Sequence, residues 1–176
     1  MSKKVLSVIV PAFNEEKTIY QILYNISRVK LHAGMEKEII IVNDRSTDQT
    51  ENEIKRFIKN FVFSKQQSKV KQVEKSFVGT AVIQKQKNHI YYLQNEVNSG
   101  KGSSIHKGIA VARGDYIIIQ DADLEYDPEE FNLLLKPVLE NRADVVYGSR
   151  FYTDRPHRVL LFWHYAGNKL LTFLSN

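Results

Sequence analysis

Unbroken apolar runs alternate with stretches of helical spacing along this chain. Val5 to Val10 is an apolar run stopped by Pro11, and it reads as a buried strand. Asn14 can cap a helix that takes Glu15 and Glu16 into its first turn, with Ile19, Ile22, Leu23, Ile26 and Val29 at helical spacing. Glu38 to Val42 is a second strand, rich in Ile and Val. Thr47 or Asp48 caps a second helix carrying Ile54, Phe57, Ile58 and Phe61 on one face. Ile90 to Leu93 is a third strand. A helix opened by Ser103 or Ser104 follows, through Ile105, Ile109 and Ala112 to a stop at Gly114. Tyr116 to Ile119 is a fourth strand, and Pro128 suits the first turn of a helix with Phe131, Leu134, Leu135, Val138 and Leu139. Val145 to Tyr147 is expected to be a fifth strand.

Helices alternating with fully apolar strands predict an α/β fold, a mostly parallel sheet covered by helices on both faces. Ligands of such sheets bind outside the carboxyl ends of the strands. Every polar motif sits at such an end: Pro11 to Glu16, Asn43 to Asp48, Asn98 to Gly102, Asp121 to Glu125, and Gly148 to Arg150. Five loops converging on one edge weigh more than any one of them. Residues 62–89 lack clear periodicity and read as a basic insertion in a single domain over 1–176.

Composition narrows the class. Hydrophobic residues make up 43% and charged residues 26%, an ordinary globular balance. With no cysteine, disulfides and thiolate metal sites are excluded, which fits a reducing compartment. Residues 55–89 carry nine Lys or Arg against Glu74, or +8, which leaves −3 for the rest of a chain whose total is +5. Such a patch can attract an anionic membrane surface, or it is a solvated insertion. No aromatic-rich motif interleaves with the lysines, so nucleic acid is not expected as a partner. The apolar run before Pro11 is too short for a signal peptide or a membrane span.

Asp121-Ala122-Asp123 carries the chemistry. Carboxylates two apart at a strand end point the same way, and a small Ala between them keeps the site open. Such a pair can hold a hard divalent cation while a diphosphate supplies further oxygens. Alone, an Asp-x-Asp is as readily a solvated loop. Glu125 faces the same way if the extended geometry persists, and it could then complete a metal shell of Asp121, Asp123 and Glu125. Lys101, bracketed by Gly100 and Gly102 before a helix, suits phosphate or is a basic turn. Arg150 can neutralise a diphosphate leaving group or an acceptor phosphate, or it is a surface arginine.

Taken together, Val8-Ile-Val-Pro-Ala-Phe-Asn-Glu-Glu16, Ile41-Val-Asn-Asp-Arg-Ser-Thr-Asp48, Asn98-x-Gly100-Lys101-Gly102 and Asp121-x-Asp123 resemble the motifs of family 2 glycosyltransferases of the GT-A fold. Asp121 to Glu130 with Asp144 to Arg150 is most similar to dolichyl-phosphate mannose synthases and polyprenyl-phosphate sugar transferases. The resemblance implies a nucleotide-sugar donor, GDP-mannose or UDP-glucose, with Mg²⁺ or Mn²⁺. It implies that Asp44 accepts from a base N–H. Pro11 and Phe13 shape the floor under the base or pack the strand end. Glu15 is a nucleotide contact or a first-turn acid. Asn43 and Arg45 depart from the usual Asp and Gly of the second motif, and Arg45 bears on the turn beside the base.

Relatives continue past the equivalent of Asn176, so the chain is read as C-terminally incomplete. The expected reaction is inverting transfer of mannose or glucose to a polyprenyl or dolichyl phosphate, with Asp123 and Arg150 as the catalytic pair. Two alternatives are a saccharide hydroxyl acceptor and a binding module without turnover. Val159 to Leu174, with Trp163 and Tyr165, reads as an interfacial or a core-packing helix. The expected location is cytoplasmic, peripheral at the cytoplasmic face of a membrane. His89, His106, His157 and His164 share no spacing that assigns them a role.

Overall fold

The computed structural model describes residues 3–63, 80–85 and 88–148. The chain divides into two compact units, Met1–Lys136 and Pro137–Asn176. The first unit holds the strands β1 (Val5–Ala12), β2 (Glu36–Asn43), β3 (Thr80–Lys85), β4 (Asn88–Gln94) and β5 (Tyr116–Ile119). It also holds the helices α1 (Ile19–Arg28), α2 (Thr50–Phe63) and α3 (Gly100–Val111). Helix α4 (Phe131–Leu139) runs into the second unit.

The sheet order is β3-β4-β2-β1-β5. β1, β2, β4 and β5 are parallel. β3 lies antiparallel on β4, with Thr80 opposite Leu93 and Lys85 opposite Asn88. From β1 the chain steps outward to β2 and β4, and α3 then carries it back to the other side of β1. Right-handed crossovers therefore set α3 on the face opposite α1 and α2. With helices on both faces, β1 and β2 are buried from their second residue to their last.

On the α3 face, Ile9, Ile40, Val42, Tyr91 and Leu93 form one cluster, with Val111 and Ala112 against it. The approach there is close enough to demand glycine: a Cβ on Gly108 would stand 2.6 Å from Cγ2 of Ile9. α1 contributes the buried row Ile19, Ile22, Leu23 and Ile26, and α2 contributes Ile54 and Phe57. The edge of Phe57 meets Tyr20 at 6.0 Å between ring centres. Lys37, buried in β2, donates to the carbonyls of Ile26 and Val29 at 2.5 Å each and so closes the carboxyl end of α1. Burial lowers its pKa to about 8, against the opposing charge of Glu129.

Four expectations are corrected. Asn14 does not cap α1, because it takes a left-handed φ of 55° and turns its side chain to Thr47, so the helix starts at Ile19. α3 begins at Gly100, a turn ahead of Ser103. The basic insertion contributes β3, an antiparallel edge strand, while residues 64–79 lie outside the described residues. Val145 to Tyr147 forms no strand among the described residues, and Val145 and Tyr147 are exposed. Just before it, Asn141 at φ 53° lets Arg142 N–H reach the Pro137 carbonyl and Asn141 N–H reach that of Val138. Those two bonds are the hydrogen-bond pattern of a left-handed helix stop.

Candidate functional site

The order of the sheet marks a place for a ligand. The strand order reverses between the neighbours β1 and β5, since the chain leaves β1 for β2 on one side and returns through α3 to β5 on the other, and the crevice above such a pair is where open α/β sheets bind ligands. The loops after β1, β2, β4 and β5 meet at this edge, the first three tied by hydrogen bonds and the third to the fourth by an ion pair. A cavity of about 920 Å³ opens instead around Lys37, Tyr24 and Phe57. None of its lining residues belongs to the carboxyl-edge loops, so it is not the candidate site.

The first two loops are stitched by a series of hydrogen bonds. Asn14 N–H donates to Ser46 Oγ at 3.0 Å, and Thr47 N–H returns to Asn14 Oδ1 at 2.8 Å. Glu15 N–H donates to Thr50 Oγ1, Glu16 N–H to Asp48 Oδ2, and Gln49 N–H to Glu16 Oε2. Asp48 also accepts from Thr50 N–H at 2.9 Å and caps α2. The fit requires left-handed backbone at Asn14 and at Arg45, whose φ is 60°. Arg45 thus adopts the angle that glycine usually supplies. Pro11 is buried at the strand end, and Phe13 is 44% exposed beside it, an open apolar surface. Glu15 is half-buried, and its Oε2 accepts from Thr18 Oγ1 at 2.7 Å.

Asp44 joins the second loop to the third. Its Oδ1 accepts from Asn95 Nδ2 at 2.6 Å and Ser99 N–H at 2.9 Å, and its Oδ2 from Gly100 N–H at 2.7 Å. Burial disfavours its charge, but these donors outweigh burial and hold the carboxyl below the usual range. At 3% exposure Asp44 is foremost the anion that caps α3. Asn95, which the sequence reading passed over, also donates to Ser104 Oγ at 3.1 Å and accepts from Lys107 Nζ at 3.0 Å. A polar residue directly behind an apolar strand was its signal.

Lys101 lies in the first turn of α3, and its Nζ stands 2.7 Å from Asp121 Oδ1. This ion pair joins the third loop to the fourth. Gln120, 2% exposed, anchors the fourth loop from within: its N–H donates to the Ile9 carbonyl, and its Nε2 reaches the carbonyls of Asp121 and Tyr126. β5 ends at Ile119, yet alternation outlasts it. Gln120 and Ala122 turn inward, Asp121 is half-buried and Asp123 exposed. Alternation stops at Leu124, whose φ is 63°, and Glu125 N–H folds back to Asp123 Oδ1 at 3.0 Å. Glu125 is therefore not brought into a shell with Asp121 and Asp123. Among the described residues no three His, Cys, Asp or Glu side chains gather for a metal. Arg150 lies outside the described residues.

The donor set nevertheless fits a hard divalent cation. Asp121 already faces a cationic Nζ, and two carboxylates leave most of the coordination sphere to an incoming anion.

Comparison with known proteins extends this geometry. An uncharacterized protein of Methanocaldococcus jannaschii is 30% identical over 155 residues, which cover 85% of this chain and 54% of that protein. Dolichyl-phosphate beta-glucosyltransferase ALG5A of Trichomonas vaginalis is 29% identical over 166 residues, covering 89% of this chain and 43% of that one. The chain thus spans about half the length of these relatives. The mannosyltransferase PcManGT from Pyrobaculum calidifontis, solved in complex with GDP-Man and Mn²⁺, superposes with a TM-score of 0.52 at 19% identity, over 73% of this chain and 30% of that one. That likeness shows the GT-A fold. Residues 7–160 match the family described as Glycosyl transferase family 2, and the chain belongs to that family.

Proposed function

We propose that this chain forms the donor-binding part of an inverting, metal-dependent hexosyltransferase that moves mannose or glucose from a nucleotide-sugar to a polyprenyl or dolichyl phosphate. The observation that carries this reading is the meeting of Lys101 with Asp121 at the switch point, beside exposed Asp123. Phe13 offers an apolar face for the base, and Lys101 a positive charge for the diphosphate. Asp121 and Asp123 would hold Mg²⁺ or Mn²⁺, which supplies charge stabilisation for the departing diphosphate. The acceptor is already anionic at neutral pH, so its attack needs no general base. Attack from the side opposite the leaving group inverts the anomeric carbon.

A lipid acceptor requires a membrane surface. We assign the protein to the cytoplasmic face, where the +8 of residues 55–89 can meet anionic lipid. No helix among the described residues is long and apolar enough to cross a membrane. The test is calorimetric titration with GDP-mannose and UDP-glucose, with and without Mn²⁺. Binding of one donor that depends on Mn²⁺ is the expected result. No binding of either, from protein with a folded circular dichroism spectrum, overturns the reading.

A further inference from the structure

Lys101 and Asp121 are set against each other by parts of the fold that neither controls. The start of α3 is fixed by Asp44, which takes the N–H groups of Ser99 and Gly100. Gly100, at φ 85°, then turns the chain so that Lys101 leaves the first helical turn toward β5. On the other side, Gln120 Nε2 holds the carbonyl of Asp121. The resulting contact of 2.7 Å is at the short end of charge-assisted bonds. The Lys101 side chain stays 59% exposed on a long stem and is free to move, whereas that of Asp121 is 22% exposed.

A carboxylate oxygen with an ammonium at bonding distance has lost much of its attraction for another cation. A divalent ion approaching Asp121 must displace Nζ or tolerate its repulsion. A nucleoside diphosphate changes that balance, because it brings negative charge to which Nζ can transfer. We propose that Lys101 is a resident cation on Asp121 that withholds the carboxylate from divalent metal until a nucleoside diphosphate draws the lysine away. Metal and donor then load together, and Lys101 is a positioning residue as well as a phosphate contact. This inference rests on the function proposed above.

The lysine is largely exposed, and the effect of removing it is correspondingly small, about two- to five-fold in affinity. The experiment measures Mn²⁺ affinity, by the paramagnetic resonance signal of free Mn²⁺, for the wild type and Lys101→Met. Each is measured alone and with GDP or UDP. Without nucleotide, Lys101→Met should bind Mn²⁺ about two- to five-fold tighter than the wild type. With nucleotide the order should reverse, because the lysine is then missing from the phosphate. In an Asp121→Asn background, Lys101→Met should bring no gain. That double variant separates a local exchange from a general loss of positive charge.

Equal nucleotide-free affinities, alongside nucleotide-dependent Mn²⁺ binding by the wild type, overturn this inference and leave the proposed function standing. A gain that persists in the Asp121→Asn background also overturns it. If the wild type binds no Mn²⁺ even with GDP or UDP, the function itself falls and the inference with it.

Discussion

Replacing Asp44 by asparagine keeps the shape of the side chain and removes its charge. In the folded protein that carboxylate receives three donors, at 2.6, 2.7 and 2.9 Å, two of them the N–H groups of Ser99 and Gly100 at the start of α3. Asparagine can still accept at one atom, but its amide group faces a donor with a donor. The Gly100 N–H, at an exposed residue, then keeps only Asn98 Oδ1 at 3.2 Å, so one hydrogen bond is lost, at about 0.5–1.5 kcal/mol, together with the favourable charge at the helix end, about 0.3–1 kcal/mol. Asp44→Asn should therefore cost about 1–2 kcal/mol at pH 7, read from urea unfolding.

The same variant carries a pH test. Hydrogen bonding holds the folded carboxyl below its ordinary range, so in acid the unfolded chain takes up a proton first. The stabilisation is complete above the ordinary Asp range and disappears as pH falls through the folded value. The gap between wild type and Asp44→Asn should close along that path. A gap under about 0.5 kcal/mol at pH 7, or one independent of pH, refutes the capping role. If Asp44→Asn left stability intact but weakened nucleotide binding, Asp44 would instead be the base acceptor that the family resemblance implies.

Two further outcomes are expected. Arg45→Gly relieves a left-handed backbone that costs a side-chain-bearing residue about 1–2 kcal/mol, against roughly 0.5–1 kcal/mol of added freedom in the unfolded chain. It should raise stability by about 0.5–1 kcal/mol in thermal or urea melts, and a loss would show that the guanidinium does more than occupy the turn. Lys37, with a folded pKa of about 8, binds its proton more weakly than it does in the unfolded chain. Wild type should therefore gain on Lys37→Met as pH rises from 8 to 10, by up to roughly 3 kcal/mol, and a flat difference would mean that the amine is not desolvated as the structure has it.

The central sheet was legible because β1, β2 and β4 are nearly continuous Ile, Val, Leu and Tyr, the signature of strands buried on both faces, and β5 shares that composition although Ile117 and Ile119 are exposed. β3 was not, because an antiparallel edge strand inside a lysine-rich segment has no such run to show. The convergence of loops followed from fold class alone, and the structure does bring Lys101 to Asp121. The left-handed residues hid the rest. Asn14 reads as a cap until its φ is seen, and Leu124 ends the alternation that would have carried Glu125 beside Asp123. No side-chain pattern announces a non-glycine residue at positive φ, since the cause is the tertiary fit of one loop to another. Likewise Asp44 reads as a ligand contact from its motif, and only the packing of α3 shows which donors reach it first.

The pairing of β1 with β5 also sets the order in which the molecule can be made. Leu6 lies beside Tyr116, and Val5 N–H meets Asp115 across 110 residues of chain. A nascent chain that has emerged only through Val111 already contains β1 to β4 and the helices α1 to α3. It contains neither Asp121 nor the strand that carries the loop to its place. One side of β1 is then still an open edge, and closing so long a loop is entropically the costliest contact in the sheet. The crevice is thus the last part of this sheet that synthesis can complete, and a chain halted shortly before β5 would keep most of the described core without the second wall of its site.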